Sequence, residues 1–343
     1  MNEIFEHGEV RLNRTTTKID PVVVIGSGAG ALPAATAIAE AGYEVVILER
    51  GPQHAIASFG AGTYDHEKGE LATILSSSDW QGNVEVQRAY GVGGSTLFNQ
   101  GVSQLPADTV LSAWGLRPEL LKDDTAHIID FLKIAGLSQP AHKLNPTSSL
   151  LYRAAKDLKW NVSPAPVAIL SKPAEGRPAC NRCGTCVYGC SWRDKSHAAE
   201  TWLPRFLSVQ NTRIITNTKV EKILLRNAHS VEGVEFVENG KAGYIRASAV
   251  VVGAGALETP HLLKESRQRF AERGIGNAHV GKNMHASVLV SQLIRLKSGS
   301  KGHSGVPIDV MINQFENQGI LMCQGRNLAG ITGPMSVAKY YSR

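Results

Sequence analysis

A chain of 343 residues with 43% hydrophobic content can bury one large core or two. No apolar run approaches the roughly 20 residues of a membrane-spanning helix, and the N-terminal MNEIFEHGEV lacks the apolar core of a signal peptide. The net charge of +6 comes from scattered Lys and Arg, which read as solvated faces. The expectation is a cytoplasmic protein with no nucleic-acid partner and no transmembrane segment, leaving the cell only if a partner subunit carries it.

Residues 1–20 read as a polar lead-in. Pro21–Arg50 then organises the chain. Val22–Ile25 is a β-branched run that suits a buried parallel strand. Gly26, Gly28 and Gly30 follow, and Ala-rich sequence with helical propensity runs to Ala41. Gly42 stops the helix, and Val45–Leu48 is a second apolar strand. Strand, glycine turn, helix and strand make a βαβ unit of about thirty residues. Gly26 permits the tight turn, and Gly28 lets backbone approach a pyrophosphate resting on the helix N-terminus. Ala31 stands at the third fingerprint position. Glu49, with Arg50 beside it, ends the second strand, where a carboxylate binds ribose hydroxyls. The unit points to a dinucleotide without separating FAD from NAD.

Gly51-Pro52 ends this unit, and residues 53–88 read as irregular, with Gly60, Gly62 and the Ser76–Ser78 run. Ala89–Pro106, AYGVGGSTLFNQGVSQLP, surrounds Ser95, Thr96 and Asn99 with glycines, so backbone N–H groups and short polar side chains can approach a flat or anionic ligand. GVGGSTLFNQG resembles the signature of the glucose–methanol–choline (GMC) oxidoreductases, a family of FAD enzymes in which this segment lies along the flavin. The resemblance makes Gly93, Gly94, Ser95 and Asn99 cofactor contacts; Tyr90 and Phe98 depart from the family's commonest residues.

Asp108–Trp114 resembles the family segment after that signature. Leu120, Leu121, Ile128, Ile129 and Leu132 recur at helical spacing and read as core packing. Ser148–Leu158 reads as another helix, its Leu and Tyr facing the core. Cys180, Cys183, Cys186 and Cys190 follow with the spacing C-x2-C-x2-C-x3-C. Two-residue gaps let thiolates converge on one centre, as in ferredoxin-type iron–sulfur runs. An iron–sulfur cluster (3Fe-4S or 4Fe-4S) is the favoured reading, with zinc and metal-free or redox thiols as alternatives. The fourth cysteine of such a run can serve a different cluster, and Ser191 stands where a Pro usually follows. Cysteine-bearing inserts occur in a GMC branch of long-chain alcohol oxidases and multi-subunit sugar or gluconate dehydrogenases. Cys323 reads as an isolated thiol.

From Lys195 the resemblance resumes. Thr212–Ile223 resembles the family's strand pair whose backbone contacts adenine, with Val220 as the candidate. Val231–Phe236 and Ile245–Ala247 read as hairpin strands. Ala249–Ser266 resembles the second family signature, where Gly253 and Gly255 let the turn approach the cofactor; Arg267 replaces the family's Gly. The implied fold is α/β, a Rossmann-type FAD-binding domain with a cysteine-bearing insert and an incomplete α+β substrate domain. Its expected bounds are 1–20 lead-in, 21–164 and 201–290 FAD-binding domain, 165–200 insert, and 291–343 the start of the substrate domain.

The implied activity is oxidation of a CH–OH group, in which a base takes the hydroxyl proton while hydride goes to flavin. The family's C-terminal catalytic His segment has no match in 291–343, and neither His261, His285 nor His303 sits in that context, so the catalytic residues stay unassigned. One reading is an alcohol or sugar dehydrogenase or oxidase whose catalytic segment is truncated away or lies in a complementary C-terminal chain, with the cysteine cluster passing electrons to an electron-acceptor protein. The other is a non-catalytic FAD- or metal-binding module. An NAD enzyme with structural zinc is disfavoured by the GGST segment.

Overall fold

A computed structural model of the chain describes residues 19–59, 75–80, 84–89, 91–137, 141–282, 284, 305–316 and 320–323. β1 (Val22–Ile25) and β2 (Val45–Leu48) are buried along their whole length and joined by α1 (Ala31–Glu40). β3 (Leu75–Trp80) and β4 (Val84–Ala89) pair as an antiparallel hairpin. The irregular reading of 53–88 missed it, because Ser76–Ser78 carries none of the β-branched alternation that marks a strand. Helices α2 (Asp108–Ala113), α3 (Lys122–Phe131) and α4 (Pro146–Asp157) come next. They are followed by β5 (Val162–Pro164), α5 (Ala198–Ser208), β6 (Thr212–Ile215) and β7 (Thr218–Asn227). The described chain closes with β8 (Ser230–Glu238), β9 (Lys241–Arg246), β10 (Ala249–Val252), α6 (Gly255–Glu265), β11 (Val310–Ile312) and β12 (Met322–Cys323). Among the described residues, no helix is long and apolar enough to cross a membrane.

The chain divides into two compact units. The first comprises the described parts of Met1–Ser58, Gly62–Phe98 and His197–His285. Its frame is a parallel sheet in the order β10-β1-β2-β6, with Ile25 opposite both Leu48 and Val252. The sheet confirms the α/β expectation. Strands buried on both faces read as continuous apolar runs, which is why VVVI and VVIL show no alternation. Val23, Ile25, Val46 and Leu48 pack with Val220, Ile223, Val234, Phe236 and Leu262 in one hydrophobic cluster. β7, β8 and β9 form a separate antiparallel sheet. Thr212–Ile223 holds two strands, as the sequence suggests, but they do not pair with each other. β6 pairs with β2, and β7 pairs with β8, because the chain turns at Asn217, whose φ is +54°. Ser266, fully buried, pins the end of α6 to β7: its hydroxyl accepts from the Ile223 N–H at 2.9 Å and donates to the Leu262 carbonyl at 2.7 Å.

The second unit comprises the described parts of Phe59–Ala61, Asn99–Ser196 and Ala286–Arg343. It holds α2, α3, α4 and the antiparallel sheet β12-β11-β5. Asn145 caps α4, accepting the Ser148 N–H at 2.8 Å, and its own backbone N–H donates to the Asp309 carboxylate at 2.8 Å. The expected core role of the 117–135 apolar residues does not hold. None of Leu120, Leu121, Ile128, Ile129 and Leu132 is buried, and Leu120 is 59% exposed. In α4 the buried residues are Ser148 and Ala155, not its Leu or Tyr.

Candidate functional site

The glycine-rich segments of the first unit meet at the C-terminal ends of β1, β2 and β10. Gly26 has φ +92°, and a Cβ there would lie 2.5 Å from the Gly253 carbonyl oxygen. Gly253 donates its N–H to Ile25 O at 2.9 Å, and a Cβ on it would lie 2.6 Å from the Ala31 Cβ. These two glycines serve close packing between turns. Gly28, Gly30 and Gly255 differ: a Cβ on any of them would meet no atom within 4 Å. α1 starts beside the first two with Gly30 as its N-cap, no side-chain cap and no acidic residue in its first turn. Uncapped N–H groups and open glycines form a cradle that fits an anionic pyrophosphate.

Ser27, 1% exposed, ties this cradle to two other segments. Its N–H and hydroxyl both donate to Glu49 Oε2, at 3.0 and 2.6 Å. The same hydroxyl accepts the Gly93 N–H at 3.2 Å. Glu49 Oε1 accepts the Gly51 N–H at 2.8 Å. Burial pushes the Glu49 carboxyl above its ordinary range, opposed by the Ser27 and Gly51 hydrogen bonds and the Arg50 charge. Three donors occupy a carboxylate that offers about four lone-pair sites, so Glu49 first braces the turn and retains room for one ribose hydroxyl. Arg50 is ion-paired to Glu258 of α6 at 3.2 Å.

Gly93 and Gly94 have φ of +101° and +55°. A Cβ on Gly94 would lie 2.9 Å from Gly28 Cα, so the second segment lies directly against the first. Ser95 is exposed here. Thr96, which sequence reasoning did not select, holds the segment: its hydroxyl donates to Gly93 O at 2.6 Å and accepts the Ala198 N–H at 3.0 Å. Ser27 was missed as well, since the glycine fingerprint does not specify the residue between Gly26 and Gly28. Asn99 belongs to the second unit, where its carbonyl accepts from Lys195 at 2.8 Å. Val220 buries its side chain in the first unit's core, on β7, the edge strand of its sheet, beside a register shift between Val220 and Lys222. His261 is exposed on α6, and His285 and His303 lie outside the described residues.

The cysteine run lies in the second unit, and nothing among the described residues supports the iron–sulfur expectation. Among the described residues, no group of three or more His, Cys, Asp or Glu is placed to hold a metal ion. Burial pushes the Cys186 thiol up to about 12 and the Cys190 thiol up to about 11, and burial raises Cys180 further. Cys190 Sγ donates to Asp194 Oδ1 at 3.2 Å, a contact that keeps the proton on sulfur. Cys180 Sγ accepts the Arg182 N–H at 3.3 Å, and exposed Cys183 lies 3.1 Å from the Thr185 hydroxyl. Cys186 is buried in a small core with Val167, Ile169 and Val306, and Cys180 packs against it. The C-x2-C spacing is compatible with a shared centre but carries no information on burial or on the Asp194 carboxylate.

Lys195 sits among them, 1% exposed, with Nζ donating to Asn99 O at 2.8 Å and Cys186 O at 2.9 Å. Burial lowers it to about 8, against the raising influence of Cys186, Cys190 and Asp194. A pH dependence of stability follows. The thiols ionise near 9.0 when unfolded and near 11 to 12 when folded, so their contribution is full below pH 9.0 and is lost as pH rises through the folded values. Lys195 acts oppositely. Between about 8 and 10.5 the unfolded chain holds the extra proton, and stability rises with pH. The thiols outnumber the amine, so the urea midpoint is expected to pass a maximum between about pH 8 and 9 and then fall. Cys190→Ala should flatten the fall; a midpoint that climbs steadily through pH 10 would contradict this balance.

Comparison with known proteins agrees with the first unit's architecture. A GMC-type oxidoreductase of Mycobacterium tuberculosis is 32% identical over 267 residues, 74% of this chain and 40% of that protein. A long-chain-alcohol oxidase of Arabidopsis thaliana is 27% identical over 300 residues, 82% of this chain and 37% of that protein. The chain thus spans about 40% of the length of these curated relatives. The crystal structure of pyridoxine 4-oxidase from Mesorbium loti shares the fold, with a TM-score of 0.52 at 17% identity over 71% of this chain and 51% of that one. The family model for GMC oxidoreductase matches residues 22–288, and the chain belongs to that family.

Proposed function

We propose that this chain is the flavin-binding part of an FAD-dependent oxidoreductase acting on the CH–OH group of an alcohol or sugar. The observation that carries the reading is the Ser27 knot, which holds the open Gly28–Gly30 cradle against Gly93 and Gly94 through Glu49. Bound FAD would supply a hydride acceptor for the substrate carbon. Gly28, Gly30 and the α1 N-terminus would hold the pyrophosphate, Glu49 would receive a ribose hydroxyl, and the β7 backbone at Val220 would contact adenine. Gly93, Gly94 and Ser95 would contact the ring system, with Gly255 on the α6 turn. Gly26 and Gly253 keep that turn closed, and Arg50 steadies α6 through Glu258.

The substrate class follows the relatives that act on alcohols. The group that takes the hydroxyl proton belongs to a segment outside those described or to a complementary chain. An electron-acceptor protein is the proposed partner.

Reconstitution tests the reading. The purified chain, mixed with FAD and freed of excess, is expected to show flavin bands at one FAD per chain. Bleaching of those bands by a long-chain alcohol or a sugar under anaerobic conditions supports an oxidoreductase. Bound FAD that is bleached only after a complementary chain is added supports a subunit of a split enzyme. A folded chain that takes up no FAD would overturn the proposal.

A further inference from the structure

In the second unit, α4 ends, β5 begins and β11 ends around an open cavity of about 440 Å³. That volume lies in the roughly 300–1,000 Å³ range of small-molecule sites. Its wall combines one aromatic side chain with a ring of amides. Trp160 follows α4, its N–H bonded to Ala155 O at 2.8 Å. Its indole meets Phe315 edge-on, with centroids 5.2 Å apart and planes at 78°, an arrangement that fixes the ring.

The polar groups beside it are oriented by the strand ends. Gln314 Oε1 accepts the Asn161 N–H at 3.0 Å, and Asn313 Oδ1 accepts the Ser163 hydroxyl at 2.9 Å. The Asn313 N–H in turn donates to Asn161 O at 3.0 Å. Both amides thus commit their oxygens to the protein and retain NH2 groups as donors for a ligand. Glu316 supplies an acceptor, and Lys156, which lies 5.5 Å from the Tyr152 ring centre, supplies a cation. One acid and one base balance each other in charge.

We propose that this cavity binds a neutral polyhydroxylated molecule, a saccharide unit or a polyol. Each hydroxyl of such a ligand both donates and accepts. Its oxygens suit the NH2 groups of Asn313 and Gln314, its hydrogens suit the Glu316 carboxylate, and its C–H face suits the indole of Trp160. An anion would face Glu316, and a cation would face Lys156 and the two amide donors. The neutral ligand meets neither conflict.

Titration calorimetry of the full chain with maltose, D-glucose and myo-inositol tests the assignment, with inorganic phosphate and spermidine as charged probes. Saturable binding of at least one neutral probe is expected, with little change on adding salt. Gln314→Ala, at an exposed position, should weaken that binding roughly tenfold, as one lost hydrogen bond to ligand implies. Trp160→Ala should weaken it more, and Gln314→Ala keeps the test valid if Trp160→Ala does not fold. No saturable binding of the neutral probes, binding unchanged in Gln314→Ala, or tighter binding of phosphate or spermidine would each overturn the proposal. The site needs no flavin. A chain that takes FAD but no sugar removes this assignment alone, and a chain that takes sugar but no FAD leaves it standing.

Discussion

Gly26→Val is expected to destabilise the first unit by about 2–6 kcal/mol, from positive-φ strain and overpacking together. Gly26 has φ +92°, and the new Cβ would lie 2.5 Å from the Gly253 carbonyl oxygen. That oxygen cannot retreat cheaply, because Gly253 is bonded to Ile25 O at 2.9 Å and lies against Ala31. Gly42→Val is the matched control. It has the same φ of +92°, but its Cβ would meet no atom within 4 Å, so it carries the backbone strain without the collision. Urea unfolding followed by circular dichroism should place Gly26→Val well below Gly42→Val. Equal losses would mean that the β1 and β10 turns are not packed as described.

Lys195→Met is expected to cost about 3–5 kcal/mol, the usual result of removing one member of a buried charged group. The substitution strips the donor from Asn99 O and Cys186 O and removes the cation whose charge interacts with the buried Asp194 carboxylate. Asp194→Asn added to Lys195→Met should recover part of the loss, since it removes the stranded charge. The unfolding midpoints of the single and double variants read this directly. If the double variant is less stable than Lys195→Met by the full cost of Asp194→Asn alone, the two side chains do not interact.

The βαβ unit was legible because its signals are local: two apolar runs, a glycine turn and an Ala-rich helix within residues 22–48. The division of labour among its glycines was not. Gly26 and Gly28 look alike in the sequence, and only the atoms around each show that one is filled by Gly253 and the other is open. Glu49 was identified as a ligand group, yet its hold on Ser27 depends on a partner 22 residues away. Leu120 and its neighbours show the limit of periodicity: spacing places side chains on one face but does not say what covers that face. The cysteine run shows the same limit for chemistry. Spacing cannot report that Cys186 and Cys190 are buried beside Asp194 and Lys195.

The most direct test of the flavin reading is an equilibrium FAD titration of the wild-type chain against Gly28→Val, followed by flavin fluorescence, with thermal unfolding of both. A Cβ at Gly28 meets no protein atom within 4 Å, so the variant should unfold at the wild-type temperature. Its side chain would fill the cradle at the α1 N-terminus, and FAD should bind roughly 100-fold more weakly, a loss of about 3 kcal/mol. Equal FAD affinity in two equally stable proteins would place the dinucleotide elsewhere and contradict the proposed site.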